Sequence, residues 1–138
     1  MNRQIERKKV KDVMTTGVIT VSPETDIRTL KEMFERYDFN SFPVVKDGKV
    51  VGIVSKLDLL KAFTAGLNVS LGRMLKLYSK SASDIMHTAI ISVRPEDDVS
   101  TAADYMVEYQ IRSMPVIEKG KLKGMISRED IIRCLRIE

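Results

Sequence analysis

The period of the apolar positions changes several times along the first half of the chain. Residues 11–14, Lys-Asp-Val-Met, read as a turn or helical stub. Val18, Ile19 and Val21 make a short β-branched run that Pro23 ends, which predicts a short strand over residues 18–21. From residue 24 to 37 the apolar side chains fall at Ile27, Leu30, Met33, Phe34 and Tyr37. That is a helical stripe, with Pro23 and Glu24 suited to its first turn. Residues 42–45 predict a second strand, Asp47-Gly48 a tight hairpin turn, and residues 49–54 the return strand. Ser55 then caps a helix that carries Leu59, Leu60, Ala62 and Phe63.

The second half repeats the first at a constant offset. Met14 aligns with Met86, Pro23 with Pro95, Pro43 with Pro115, Gly52 with Gly124, Ser55 with Ser127 and Asp58 with Asp130, each 72 residues later. Laying residues 10–58 on 82–130 without a gap gives 18 identities in 49 positions. The repeat predicts a strand over 90–93, a helix over 97–109, strands over 114–117 and 122–126, and a helix from Ser127 to Leu135. A strand-helix-strand-strand-helix unit of some 50 residues buries too little apolar surface to stand alone. Two copies can share a core, so the expected fold class is α/β, with two motifs packed through their sheets about a pseudo-twofold axis. The expected organisation is a basic tail (1–9), motif 1 (10–64), a bridging loop and short amphipathic helix (65–81) and motif 2 (82–138). Arg73, Lys76 and Lys80 form the polar face of that bridging helix.

Composition narrows the function classes. The chain has 138 residues, 43% of them apolar and 30% charged, as in ordinary globular domains. A single cysteine, Cys134, and a single histidine, His87, cannot build a multi-ligand zinc site or a disulfide framework. No nucleophile–base constellation is visible, so an enzyme is not expected and no catalytic residue or metal is assigned. No apolar run reaches the length of a membrane span and the N-terminus has no signal-peptide core, which makes a cytoplasmic location the expectation. The net charge is +4, and residues 1–11 alone carry five basic side chains against Glu6. The body is therefore near neutral, the tail reads as solvated, and nucleic acid is not the expected partner.

One repeated motif carries chemistry: Gly52-x-x-Ser55-x-x-Asp58 and Gly124-x-x-Ser127-x-x-Asp130, each where a strand ends and a helix begins. Helix N-terminal N–H groups favour an anion there. The glycine admits close approach of a backbone or a ligand, the serine hydroxyl can donate to a phosphate, and an ionised aspartate can accept both hydroxyls of a ribose. Ser-x-x-Asp is equally close to a capping box, and one serine can serve both purposes.

The residues Asp12-Val13-Met14-Thr15, Pro23, Ser41-Phe42-Pro43-Val44-Val45 and Gly52-Ile53-Val54-Ser55-Lys56-Leu57-Asp58, with a second set from Asp84 to Asp130, resemble the cystathionine-β-synthase (CBS) domain. The whole chain resembles a tandem CBS pair, or Bateman module. The resemblance implies a regulatory module, often a homodimer, that binds adenosine-containing ligands (AMP, ADP, ATP or S-adenosylmethionine) in clefts between the motifs and signals their presence to a partner protein. It gives Asp58 and Asp130 the ribose role. Ser55, Lys56, Ser127, Arg128 and Arg112 become phosphate contacts. Thr15, Thr16, Val18, Asn40, His87, Thr88 and Ile90 line the clefts. Each cleft is shared in the family, so Asp58 is expected to work with His87, Thr88, Ile90 and Arg112, and Asp130 with Thr15, Thr16, Val18 and Asn40. With Arg112 on one side and Asn40 on the other, the Asp58 site is expected to take the more highly phosphorylated ligand. A ligand-free scaffold dimer is the alternative function, and nucleic-acid binding through the basic tail a third.

Overall fold

The computed structural model describes residues 4–64 and 71–137, without the side chains of residues 71 and 73–75. In chain order the elements are α1 (Val10–Val13), α2 (Ile27–Arg36), β1 (Ser41–Lys46), β2 (Lys49–Ser55), α3 (Lys56–Thr64), α4 (Leu71–Tyr78), α5 (Ala82–Ile85), α6 (Val99–Tyr109), β3 (Ser113–Glu118), β4 (Lys121–Ser127) and α7 (Arg128–Ile132). The repeat is plain in their limits: β1 and β3, β2 and β4, and α1 and α5 are offset by 72 residues at both ends. The fold is α/β, as the apolar pattern predicts.

The chain forms two compact units that cut across the repeats. One comprises residues 19–90; the other joins residues 1–18 to residues 91–138. Each unit thus takes its hairpin from one repeat and its opening segment from the other.

In the unit of residues 19–90, β1 and β2 pair antiparallel from Ser41–Ser55 to Lys46–Lys49. The turn places Asp47 at φ 52° and Gly48 at φ 77°, the double left-handed step that a two-residue hairpin requires. Val21, Ile27, Leu30, Phe42, Val44, Val54 and Ala82 form the core. Phe34 and Phe42 lie 4.7 Å apart, and Arg28 stands over the ring of Tyr78 at 4.6 Å, tying α2 to α4. The second unit repeats the plan with Val10, Val93, Val99, Ala102, Met106, Met114, Val116, Ile126, Ile131 and Cys134. Its hairpin turn, Lys119-Gly120, takes the same backbone conformation.

Four expectations need correction. The predicted strands at 18–21 and 90–93 reduce to single parallel bridges, Val21 to Val44 and Val93 to Val116. Val21 donates to the Pro43 carbonyl at 3.0 Å and accepts from Val45 at 2.9 Å. Extending that ladder toward residue 19 would require an N–H at residue 43, and proline has none; Pro115 stops the other copy in the same way. The helices start later than Pro23 and Pro95 suggest. Residues 22–25 form a turn, and Asp26 caps α2 by accepting from the Thr29 N–H at 2.7 Å, a bond that holds its carboxyl below the usual range. The last helix stops at Ile132 instead of Leu135, because the chain turns there to meet the N-terminus. Finally, residues 4–9 are pinned and not a free tail. The Glu6 N–H donates to the Cys134 carbonyl at 2.9 Å, that of Arg136 to the Gln4 carbonyl at 2.7 Å, and that of Val99 to the Lys8 carbonyl at 2.9 Å. The expected bridging helix is present as α4, with Lys76 exposed and Lys80 half-buried. Its loop at 65–70 and the side chain of Arg73 lie outside the described residues.

The two motif glycines have a packing reason. A Cβ on Gly52 would lie 2.4 Å from Met86 Sδ and 3.2 Å from the His87 carbonyl; on Gly124 it would lie 2.7 Å from both Met14 Sδ and the Thr15 carbonyl. Met86 is a flexible side chain and can move, whereas the Thr15 carbonyl is held by hydrogen bonds to Met125. Gly124→Ala is therefore expected to cost about 1–3 kcal/mol, the usual range for overpacking, and Gly52→Ala distinctly less. Urea denaturation of the two variants measures both, and an equal loss would refute this account.

Candidate functional site

The two helix starts are built alike. At α3 the Ser55 N–H and hydroxyl both donate to Asp58 Oδ2 at 2.8 Å, and the Asp58 N–H donates to Ser55 Oγ at 3.1 Å. At α7 the Ser127 N–H and hydroxyl reach Asp130 Oδ2 at 2.9 and 3.0 Å, and the Asp130 N–H reaches Ser127 Oγ at 3.3 Å. These are reciprocal capping boxes. They fix each aspartate at the mouth of its helix, and they commit the single proton of each serine hydroxyl to that aspartate. Ser55 and Ser127 reach a phosphate only by turning this proton away from the carboxylate.

The opening segment of the opposite repeat passes over each hairpin. His87 and Ile53 exchange backbone hydrogen bonds, each 3.0 Å; Thr15 and Met125 do the same at 2.8 and 2.9 Å. His87 is thereby delivered to Asp58, its Nδ1 2.9 Å from Asp58 Oδ2. An ionised carboxylate only accepts, so the imidazole donates. Thr88 is exposed and Ile90 half-buried in the same unit. Thr15 and Thr16 are exposed and Val18 half-buried in the unit that holds Asp130. The grouping of each aspartate with the opening segment of the other repeat is thus present within single units.

The cations fall differently. The Arg112 carbonyl accepts from the Arg128 N–H at 3.0 Å, and Arg128 Nε donates to the Ile111 carbonyl at 3.1 Å. Arg112 therefore has its backbone beside the α7 start, immediately before β3. Asn40 occupies the equivalent place beside α3, its carbonyl accepting from the Lys56 N–H at 2.9 Å. A further arginine escaped the sequence reading: Arg133 donates to Asp130 Oδ1 at 3.2 Å. Its position one helical turn beyond Asp130 was the available signal. Asp130 is 8% exposed and is the one buried charged residue among those described.

Three lysines at and before α1 are already partnered. Lys11 Nζ lies 2.8 Å from Glu96 Oε1 and Lys9 Nζ 3.9 Å from Glu96 Oε2, while Lys8 pairs with Glu6 at 3.2 Å. Lys11 raises its pKa through this contact, and Glu96 is lowered by it. Among the described residues no cluster of three or more His, Cys, Asp or Glu could hold a metal ion, and no helix is long and apolar enough to cross a membrane.

The model of the CBS domain family matches residues 10–65 and 82–137, and the chain belongs to that family. It is 30% identical over 122 residues to the CBS domain-containing protein YhcV of Bacillus subtilis, covering 88% of this chain and 81% of that one. It spans far less of other curated relatives, such as 13% of the A-adding tRNA nucleotidyltransferase of Geobacter sulfurreducens. Among solved structures, CBSX2 in complex with AMP superposes with a TM-score of 0.78 at 29% identity, over 91% of this chain and 93% of that one. The CBS domain pair of MJ0100, in complex with 5'-methylthioadenosine and S-adenosyl-L-methionine, gives 0.76 at 26% identity, over 93% and 95%.

Cys134 is not part of this chemistry. It is 2% exposed, its thiol donates weakly to the Asp130 carbonyl, and burial pushes its pKa up. A thiol held protonated and out of solvent is a poor nucleophile. Alkylation by iodoacetamide at neutral pH is expected to be slow in the native protein and fast in urea. Comparable rates in both would show that the α7 region opens readily.

Proposed function

We propose that this chain is a regulatory adenosyl-ligand sensor that binds AMP, ADP, ATP or S-adenosylmethionine at Asp58, at Asp130 or at both, and conveys occupancy to a partner protein. The observation that carries the reading is the twice-built helix start, with an aspartate anchored through Oδ2 at a point where N–H groups favour an anion. At Asp58 no donor among the described residues meets Oδ1, which leaves an acceptor for a ribose hydroxyl. The AMP bound by CBSX2 and the S-adenosylmethionine bound by the MJ0100 pair support the ligand class.

The charge distribution suggests a division of labour. Arg112, Arg128 and Arg133 belong to the hairpin and helix of Asp130, whereas Lys56 and Asn40 accompany Asp58. In this reading the more highly phosphorylated ligand goes to the Asp130 end, the reverse of the assignment drawn from sequence alone. Thermal unfolding with each ligand, in the wild type and in Asp58→Asn and Asp130→Asn, provides the test. A ligand at about 100 times its Kd should stabilise by roughly 2.7 kcal/mol, a rise of several degrees in Tm. ATP stabilisation lost in Asp130→Asn and kept in Asp58→Asn is the expected pattern. No shift with any adenosyl ligand would leave the scaffold reading in its place.

A homodimer is also part of this proposal. On α3, Leu57 and Leu60 are 56% and 59% exposed, and beyond Asp130 Ile132 is 61% exposed. These apolar side chains lie at helical spacing on surfaces that a second copy of the chain could cover. Light scattering should give twice the monomer mass, and Leu60→Glu should halve it.

A further inference from the structure

Asp58 Oδ2 is overcommitted. It receives the Ser55 N–H and hydroxyl at 2.8 Å and the His87 imidazole at 2.9 Å, three donors that crowd one carboxylate oxygen and leave no room for a fourth. A ribose that presents two adjacent hydroxyls to a carboxylate uses both oxygens. Oδ1 is available for one of them, and Oδ2 is not. One of its three donors has to leave before the second hydroxyl can bind.

The donors differ in how readily they leave. The Ser55 N–H and hydroxyl belong to the start of α3 itself, and moving them uncaps the helix. His87 comes from another segment, and its side chain is 47% exposed, so the ring can swing into water at little cost. We infer that His87 is a latch on the Asp58 site, in which the imidazole competes with the ligand's ribose for Asp58 and sets the affinity of this end alone. The inference rests on the adenosyl-ligand reading of the site. The other end has no histidine, since Thr15 stands where His87 does in the repeat; there Arg133, the residue that follows α7, donates to the second oxygen of Asp130.

The charged groups on the elements packed against the His87 segment are few. α3 carries Lys56, Asp58 and Lys61, and β2 carries Lys49 at its far end. The carboxylate of Asp84 on α5 is engaged by the Ser81 N–H at 2.8 Å. Asp58 is the acidic group in hydrogen-bond contact with the ring.

The test is calorimetric titration of AMP into the full chain as wild type, His87→Ala and Asp58→Asn, with the ring signals of His87, the one histidine in the chain, followed by NMR in the wild type. A hydrogen bond to a charged group is worth enough that its removal should tighten AMP binding at this end roughly tenfold in His87→Ala. The ring signals should move as AMP saturates the wild type, and Asp58→Asn should lose the tight site. Unchanged or weaker binding in His87→Ala overturns the latch, and weaker binding makes the ring a ligand contact. If the wild type binds no AMP and His87→Ala does, the latch stands in a closed form. If neither binds AMP, S-adenosylmethionine or ATP, the sensor reading fails and the latch with it.

Discussion

The fold depends on the passage of one repeat's opening segment across the return strand of the other. Gly52 and Gly124 make it possible. At each of them the methionine and backbone of the crossing segment occupy the space where a side chain would begin. The crossing segment then exchanges two backbone hydrogen bonds with the strand, His87 with Ile53 and Thr15 with Met125. A repeat of this size lacks the apolar surface to fold alone. The exchange supplies what is missing, because each hairpin is covered on one side by a segment of the other repeat, His87 over Ile53 and Thr15 over Met125. The glycines of the motif are therefore needed by the architecture whether or not a ligand ever comes near them.

The same constraint assembles the chemistry. A strand that ends in Ser-x-x-Asp starts a helix with its caps satisfied, and the aspartate is fixed by that duty before it takes on any other. The crossing segment contributes a side chain to the same place, because it is locked to the strand a few residues upstream of the cap. Where that side chain is histidine, it meets the aspartate. In the proposed sensor, stability and recognition use the same atoms, so substituting Asp58 or Asp130 by alanine would disturb a helix start as well as the proposed site. Asparagine retains the shape and most of the cap, and separates the two effects better.

Most of the scaffold could be read from the chain because it is local and repeated. Asp47-Gly48 announced its turn, Pro43 and Pro115 marked the strands, and the constant offset exposed the duplication. What was misread depended on partners distant in sequence. Val18 to Val21 has the composition of a strand, but its ladder is cut by a proline on the strand it meets. The lysines near the N-terminus look like a solvated tail, and only the fold brings Glu96 to Lys9 and Lys11. The His87–Asp58 contact lay within the expected grouping of residues; the number of donors already on that oxygen did not, since it is a property of geometry.

Duplication leaves two helix starts with the same backbone and lets their surroundings diverge. The positions that hold the architecture are the identical ones: both glycines, both serines, both aspartates and both strand prolines. The positions around the sites are where the repeats part: His87 against Thr15, Arg112 against Asn40, Arg133 against Lys61. Each change alters charge or hydrogen-bonding capacity near a helix start and leaves the core untouched. Two sites that began equivalent can acquire different affinities through such substitutions without any cost to the fold. In the proposed sensor, a single chain would then respond to two ligands, or to one ligand over two concentration ranges. That divergence requires the scaffold and the rim to be separable, and the crossing at Gly52 and Gly124 separates them by fixing the backbone and leaving the neighbouring side chains free to vary.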